Sequence, residues 1–171
     1  DLDTPVDVTK IMTMTSALGA TSASVALAAK SLRGTVVRTP LLHSSLLDAM
    51  VSTRLSVPSL RVLVKAECLQ QTGAFKFRGA TNRLLQLSPS ERSSGVVAFS
   101  SGNFAQALAL ASRNEGVKCT IVAPHDAPEL KLNRARDYGA TVVLSTPDAN
   151  ENREVAASRM AKEFAKENEA T

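Results

Sequence analysis

The chain has no tryptophan, one tyrosine (Tyr138) and only 4% aromatic residues. Nowhere do aromatics interleave with basic residues, so a surface that stacks single-stranded bases is not expected, although the net charge is +4. Cysteine is scarce. Cys68 and Cys119 show neither metal-ligand spacing nor a disulfide framework, and His43 and His125 have no partner at ligand spacing, so no metal site is expected. Cys119 opens an apolar stretch and reads as buried core. Thiols kept reduced fit a cytoplasmic protein. Glycine is limited to 8 residues, and neither GxGxxG nor GxxxxGK[ST] occurs, which excludes phosphate loops of those two types. Long apolar runs are missing as well. The best candidate, Ala17 to Ala29, is studded with Ser and Thr and is too short and polar to span a bilayer. Asp1, Asp3 and Asp7 argue against a basic presequence. Residues up to about Gly19 therefore read as an arm or poorly ordered leader, with organellar targeting left open.

What is present suits a soluble globular protein: 44% hydrophobic and 21% charged residues in a chain of 171. That length holds one domain or two small ones. Lys and Arg are mixed with Asp and Glu, which describes a solvated surface with local attraction for phosphate and carboxylate groups. Val25 to Leu32 reads as a helix ending at Gly34. Arg38-Thr39-Pro40 is extended, because proline pushes the residue before it out of the helical region. Ser44 or Ser45 could cap a short helix through Met50, and Pro58-Ser59 breaks the chain before an apolar run, Leu60 to Val64, that reads as a buried strand. Ser88-Pro89-Ser90-Glu91-Arg92 is a polar punctuation and a candidate domain boundary.

From Gly95 the pattern becomes regular. Apolar strands at Val96–Phe99, Thr120–Ala123 and Thr141–Leu144 alternate with helical segments. Those segments are Phe104–Glu115, one from near Asp126 with Pro128 in its first turn, and one from about Asn150 to Asn168. Such alternation implies right-handed βαβ units and an α/β fold of three layers, a parallel sheet between helices. After the last helix the pattern calls for another strand.

Two stretches carry chemistry. Thr72-Gly73-Ala74-Phe75-Lys76-Phe77-Arg78-Gly79-Ala80 opens a helical run whose apolar positions include Phe77, Thr81, Leu84 and Leu85, so Lys76 sits in a helix's first turn. The flanking phenylalanines suggest an apolar setting, and desolvation favours the neutral, nucleophilic amine. Such an amine suits a Schiff base with an aldehyde cofactor. Taken alone, the stretch is equally an amphipathic helix whose lysine reaches to water. The second stretch, Ser100-Ser101-Gly102-Asn103, turns from a strand into a helix, where small residues and unpaired N–H groups can hold an anion. The plainer alternatives are helix caps for the serines and a turn amide for Asn103.

Together these stretches resemble the fold-type II pyridoxal-phosphate enzymes, in particular the serine racemase and serine/threonine dehydratase family. The resemblance is carried in collinear order from about Arg33 onward by Arg38-Thr39-Pro40-Leu41, Lys65-Ala66-Glu67, Gln71 to Ala80, Ser100 to Ala107 and Tyr138-Gly139-Ala140. It implies a tryptophan-synthase-β-like architecture of which this is the N-terminal portion. Residues 1–94 would form an arm and the first part of the cofactor domain, and residues 95–171 a smaller substrate-side domain. The glycine-rich cradle for the cofactor phosphate would lie in the half of the family's length that this chain does not contain.

By the same resemblance, Lys76 carries pyridoxal 5'-phosphate as a Schiff base and serves as base on one substrate face. Phe75 beds the ring, and Asn103 bonds the phenolic oxygen. Ser100, Ser101, Gly102 and Asn103 bind the substrate carboxylate, and Ser101 is the acid/base on the opposite face. The implied reaction is deamination of L-threonine or L-serine to a 2-oxo acid and ammonia, with serine racemisation as the alternative. A divalent cation and ATP enter as activators of some relatives, and a homo-oligomer as the assembly. Ala74 stands where the family usually has serine, and Phe104 where it usually has histidine, which leaves substrate preference open. Two other readings remain: a non-catalytic folded or interacting module, and a basic anion- or nucleic-acid-binding domain.

Overall fold

The computed structural model describes residues 20–171, so the expected N-terminal arm lies outside the described residues. These residues form two compact units. One comprises residues 20–33 and Arg38–Ala66, the other Gly34–Val37 and Glu67–Thr171.

In the first unit, helix α1 (Ser22–Ser31) starts from a Thr21–Ser24 capping box. Strand β1 (Leu41–His43) pairs antiparallel with β2 (Leu63–Lys65), Leu42 opposite Val64. Helix α2 (Ser45–Leu55) is capped by Ser44, as expected, and runs one turn beyond Met50 to a left-handed residue, Ser56. Asp48 on α2 ties this unit together. Its carboxylate accepts from the Val62 N–H at 2.7 Å and meets His43 Nε2 at 2.6 Å. These contacts hold the Asp48 carboxyl below its ordinary value of 3.8, the Val62 bond most and the His43 bond next. One expectation fails here. The apolar run before the lysine is not a buried strand, because β2 is three residues long and exposed at each of them. Apolar composition signals a strand but not what covers it.

The second unit contains a parallel sheet of β3 (Val96–Phe99), β4 (Cys119–Pro124) and β5 (Thr141–Ser145), in that order. Helices α5 (Asn103–Glu115), α6 (Glu129–Asp137) and α7 (Arg153–Glu167) alternate with the strands. Side-chain alternation separates the two faces. Val96, Ala98, Ile121, Ala123 and Val142 pack on the side of α5 and α6, while Val97, Val122 and Val143 meet Ala157, Met160 and Ala161 of α7. Three layers result, as the period predicts. Thr171 adds a parallel bridge on the free edge of β3, donating to Gly95 O (3.0 Å) and accepting from Val97 N (2.8 Å). This is where the pattern called for a further strand.

Two details differ from expectation. The Ser88–Arg92 punctuation is the start of a short helix, α4 (Pro89–Ser94), closed by a capping box in which the Ser88 N–H donates to Glu91 at 2.7 Å. Pro128 is the residue preceding α6 rather than part of its first turn. Cys119 is buried as expected, and burial pushes its thiol up to about 11.

Candidate functional site

The lysine helix, α3 (Lys76–Leu84), has Lys76 as its first residue. It does not follow a strand directly. Two 3-10 turns, Glu67–Leu69 and Gln71–Gly73, intervene, and Thr72 and Gly73 both take left-handed backbone (φ 63 and 69). The buried Gln70 side chain organises this connection. Its amide nitrogen donates to Val37 O (2.8 Å), and its oxygen accepts from the N–H groups of Val37 and Gln71 (both 3.0 Å). Arg78, the third residue of α3, makes a two-pronged contact with Glu67 at 2.9 and 2.7 Å. A planar guanidinium matched to a carboxylate fixes orientation as well as distance. Gln70 did not stand out in the sequence, and Glu67 and Arg78 stood in separate motifs with nothing to pair them, since each works through a residue it finds only after folding.

The two phenylalanines beside Lys76 have opposite fates. Phe77 is fully buried in the core between α3 and α5, with Ala80, Leu84 and Leu108. Phe75 is 58% exposed, and the Lys76 ammonium lies 5.0 Å from its ring centroid. Lys76 is itself exposed. Among the described residues the desolvated setting expected from the flanking residues is therefore absent: one ring faces inward and the other lies on the surface beside the amine.

Ser100 to Asn103 form the turn from β3 into α5. The Ser100 N–H donates to Val122 O at 3.0 Å, which anchors the turn to β4. The Ser100 hydroxyl accepts from the Gly102 N–H at 3.2 Å, a local turn contact. Gly102 is the residue before α5 and gives its first amides no side-chain cap. A helix's opening N–H groups lack intrahelical partners and draw anions. The Ser101 hydroxyl donates not to the helix but to Glu154 of α7, at 3.5 Å. The Asn103 side chain makes no hydrogen bond among the described residues and is exposed. Helix capping thus accounts for none of the side-chain contacts of Ser100, Ser101 and Asn103.

Phe75 and Lys76 at the start of α3 and Ser100 to Phe104 of the turn and the start of α5 line one cleft of about 510 Å3, together with Phe99, Lys131 and Glu154. Gly102 has an ordinary extended backbone (φ −128), and a Cβ placed on it would meet nothing within 4 Å. Its lack of a side chain keeps the cleft open rather than relieving strain. An amine, a flat ring face, an amide and hydroxyls around open space make a donor set that fits the ring and aldehyde end of pyridoxal phosphate. The family model described as "Pyridoxal-phosphate dependent enzyme" matches residues 32–171. The chain belongs to this family.

Individual members agree with the architecture. An L-threo-3-hydroxyaspartate ammonia-lyase from a Pseudomonas species is 49% identical over 117 residues, covering 68% of this chain and 34% of the relative. The catabolic L-threonine dehydratase of Staphylococcus aureus is 38% identical over 141 residues, covering 82% and 38% respectively. The crystal structure of serine racemase from Dictyostelium discoideum superposes with a TM-score of 0.72 at 35% identity, covering 86% of this chain and 44% of that one. The chain therefore spans less than half the length of the proteins it matches. Fold type II, expected from the spaced motifs, is the fold found.

Proposed function

We propose that the protein of which this sequence is part removes ammonia from L-threonine and L-serine, giving the 2-oxo acid, on pyridoxal phosphate held at Lys76. The observation that carries this is the meeting of Phe75-Lys76 and Ser100–Asn103 in one cleft, from stretches separated by α3, α4 and β3. Lys76 is the residue that would hold the cofactor's aldehyde carbon, with Phe75 against the ring and Asn103 at its phenolic oxygen. When bound, the cofactor supplies an electron sink that makes the Cα proton of an amino acid removable. The chain's own residues do the rest. The hydroxyls of Ser100 and Ser101 and the opening amides of α5 hold the substrate carboxylate, aligning the Cα–H bond. The Lys76 amine takes that proton on one face. Loss of the β-hydroxyl as water, followed by hydrolysis, releases the 2-oxo acid and ammonia.

Racemisation of serine is the second reading. It is favoured by the Ser101–Glu154 contact, which gives the Ser101 hydroxyl a carboxylate partner for handling a proton on the opposite face. On either reading, residues 95–171 act as the substrate-side domain and residues 1–94 as the first part of the cofactor domain. A cytoplasmic homo-oligomer activated by divalent cations and ATP completes the proposal. The test uses the pyridoxal-phosphate-loaded protein with L-serine and L-threonine, following 2-oxo acid and D-serine. Lys76→Ala should abolish both products, and borohydride should fix the cofactor to Lys76 in the parent protein. Turnover by Lys76→Ala refutes the reading, and a loaded protein that never acquires the adduct points to a non-catalytic module.

A further inference from the structure

Loss of the β-hydroxyl needs a proton that the residues assigned above do not supply. Hydroxide is a poor leaving group, so the Cβ–O bond breaks readily only if the oxygen is protonated as it departs. The Lys76 amine is occupied in taking the Cα proton. The Ser101 hydroxyl donates to Glu154 at 3.5 Å, and the Ser100 hydroxyl is engaged with the Gly102 N–H at 3.2 Å. Lys131 differs from all of these. It stands in the first turn of α6, lines the cleft beside Ser101, Gly102 and Asn103, and is half-buried. Among the described residues its side chain makes no hydrogen bond or ion pair. The carboxylates of the same helix and cleft have other partners. Glu129 binds Arg136 at 2.8 Å, Asp126 binds Arg153 at 2.8 Å, and Glu154 accepts from Ser101. An ammonium carries three donors and no acceptor, so this one has protons to offer and nothing in the protein to receive them.

We propose that Lys131 is a second catalytic amine, the general acid that protonates the departing β-hydroxyl of the substrate. This rests on the function proposed above and deepens it. Two amines, at the starts of α3 and α6, then divide the two proton transfers of the elimination. Lys76 takes the proton from Cα. The Cβ–O bond breaks with its electron pair on oxygen, and a proton from Lys131 makes the leaving group water. Lys131 is left as a neutral amine and recovers a proton from solvent, while Lys76 gives one up, so both return to their starting states. Hydrolysis takes up one water. L-Serine thus yields pyruvate and ammonia with no net change in water and no oxidant or reductant.

The test varies the leaving group. The loaded protein is given L-serine and β-chloro-L-alanine, in wild type, Lys131→Met and Lys131→Arg, and initial rates of pyruvate release are compared. Chloride departs without a proton, so in Lys131→Met the ratio of kcat on L-serine to kcat on β-chloro-L-alanine should fall on the order of a hundredfold. In Lys131→Arg the ratio should stay low, because a guanidinium donates hydrogen bonds but does not give up its proton. An unchanged ratio in Lys131→Met, or full recovery in Lys131→Arg, overturns the proposal. Calorimetric titration with 3-hydroxypropanoate and propanoate, which lack the amine and cannot react, reads the contact without turnover. Wild type and Lys131→Arg should bind the hydroxy acid on the order of tenfold more tightly than propanoate, and Lys131→Met should bind the two alike. Equal binding by wild type overturns the proposal, as does a preference that survives Lys131→Met. Failure of the parent reading appears separately, as elimination from β-chloro-L-alanine by Lys76→Ala, and leaves the comparison of the two acids decisive for Lys131.

Discussion

Replacing each phenylalanine beside Lys76 by alanine should give two very different proteins. Phe77 is fully buried with Ala80, Leu84 and Leu108 around it, whereas Phe75 is 58% exposed. Removing a buried phenylalanine ring costs about 3–5 kcal/mol, the lost transfer energy plus the cavity left behind. Against a total stability of about 5–15 kcal/mol, that is a large share. At roughly 2–4 °C per kcal/mol for a domain of this size, Phe77→Ala should lower Tm by roughly 6–20 °C. Phe75→Ala should stay within about 0.5 kcal/mol of wild type, as surface substitutions do. Thermal melts by circular dichroism on the two variants and wild type read this directly. The comparison also concerns function, because Phe77 anchors the first turn of α3 and so sets where the Lys76 amine can reach. Equal melting shifts, or a larger one for Phe75→Ala, would refute the claim that α3 is mounted by its inward-facing ring.

Three further outcomes are expected. Gly95→Ala should destabilise by about 2 kcal/mol or more, since φ is +90 there and the new Cβ would lie 2.9 Å from the Lys118 carbonyl oxygen; urea melts with an unchanged midpoint would contradict this. Asp48 titrates below its ordinary 3.8 in the folded protein, so its contribution is present above that pH and is lost as pH falls towards the lowered value. Asp48→Asn should therefore flatten the acid limb of stability in the first unit, and an acid limb as steep as that of wild type would exclude the role given to the Val62 and His43 contacts. Iodoacetamide at pH 8 should label the exposed Cys68 in the native protein and reach Cys119, whose thiol burial pushes up to about 11, only in denaturant. Comparable native labelling of both, read by mass spectrometry, would show that the β4 thiol is accessible.

Much of the architecture was legible in the order of residues. The alternation of short β-branched runs with helical segments places β3, β4 and β5 within a residue or two of where they lie, because a period of two or of 3.6 is a property of neighbours along the chain. The paired stretches around Lys76 and Ser101 could be singled out for the same reason, each being a compact local pattern. What could not be read was which side of an element finds cover. Phe75 and Phe77 look alike in sequence, yet only Phe77 is buried in the core with α5. The apolar run ending in β2 looks like core but is exposed. Gln70 and the Arg78–Glu67 pair hold the lysine's approach through partners that no local pattern identifies.

By itself, then, the order of residues determined the layered α/β fold and marked out the Lys76 stretch and the small-residue turn as candidates, since both are patterns within about ten positions. Only the tertiary structure decided that those two stretches share a cleft with Glu154 and Lys131. Ser101 meets Glu154 across 53 positions, because α7 crosses back over the sheet to the end of β3. Contacts at that separation are set by how helices pack on strands, and no period along a chain encodes them.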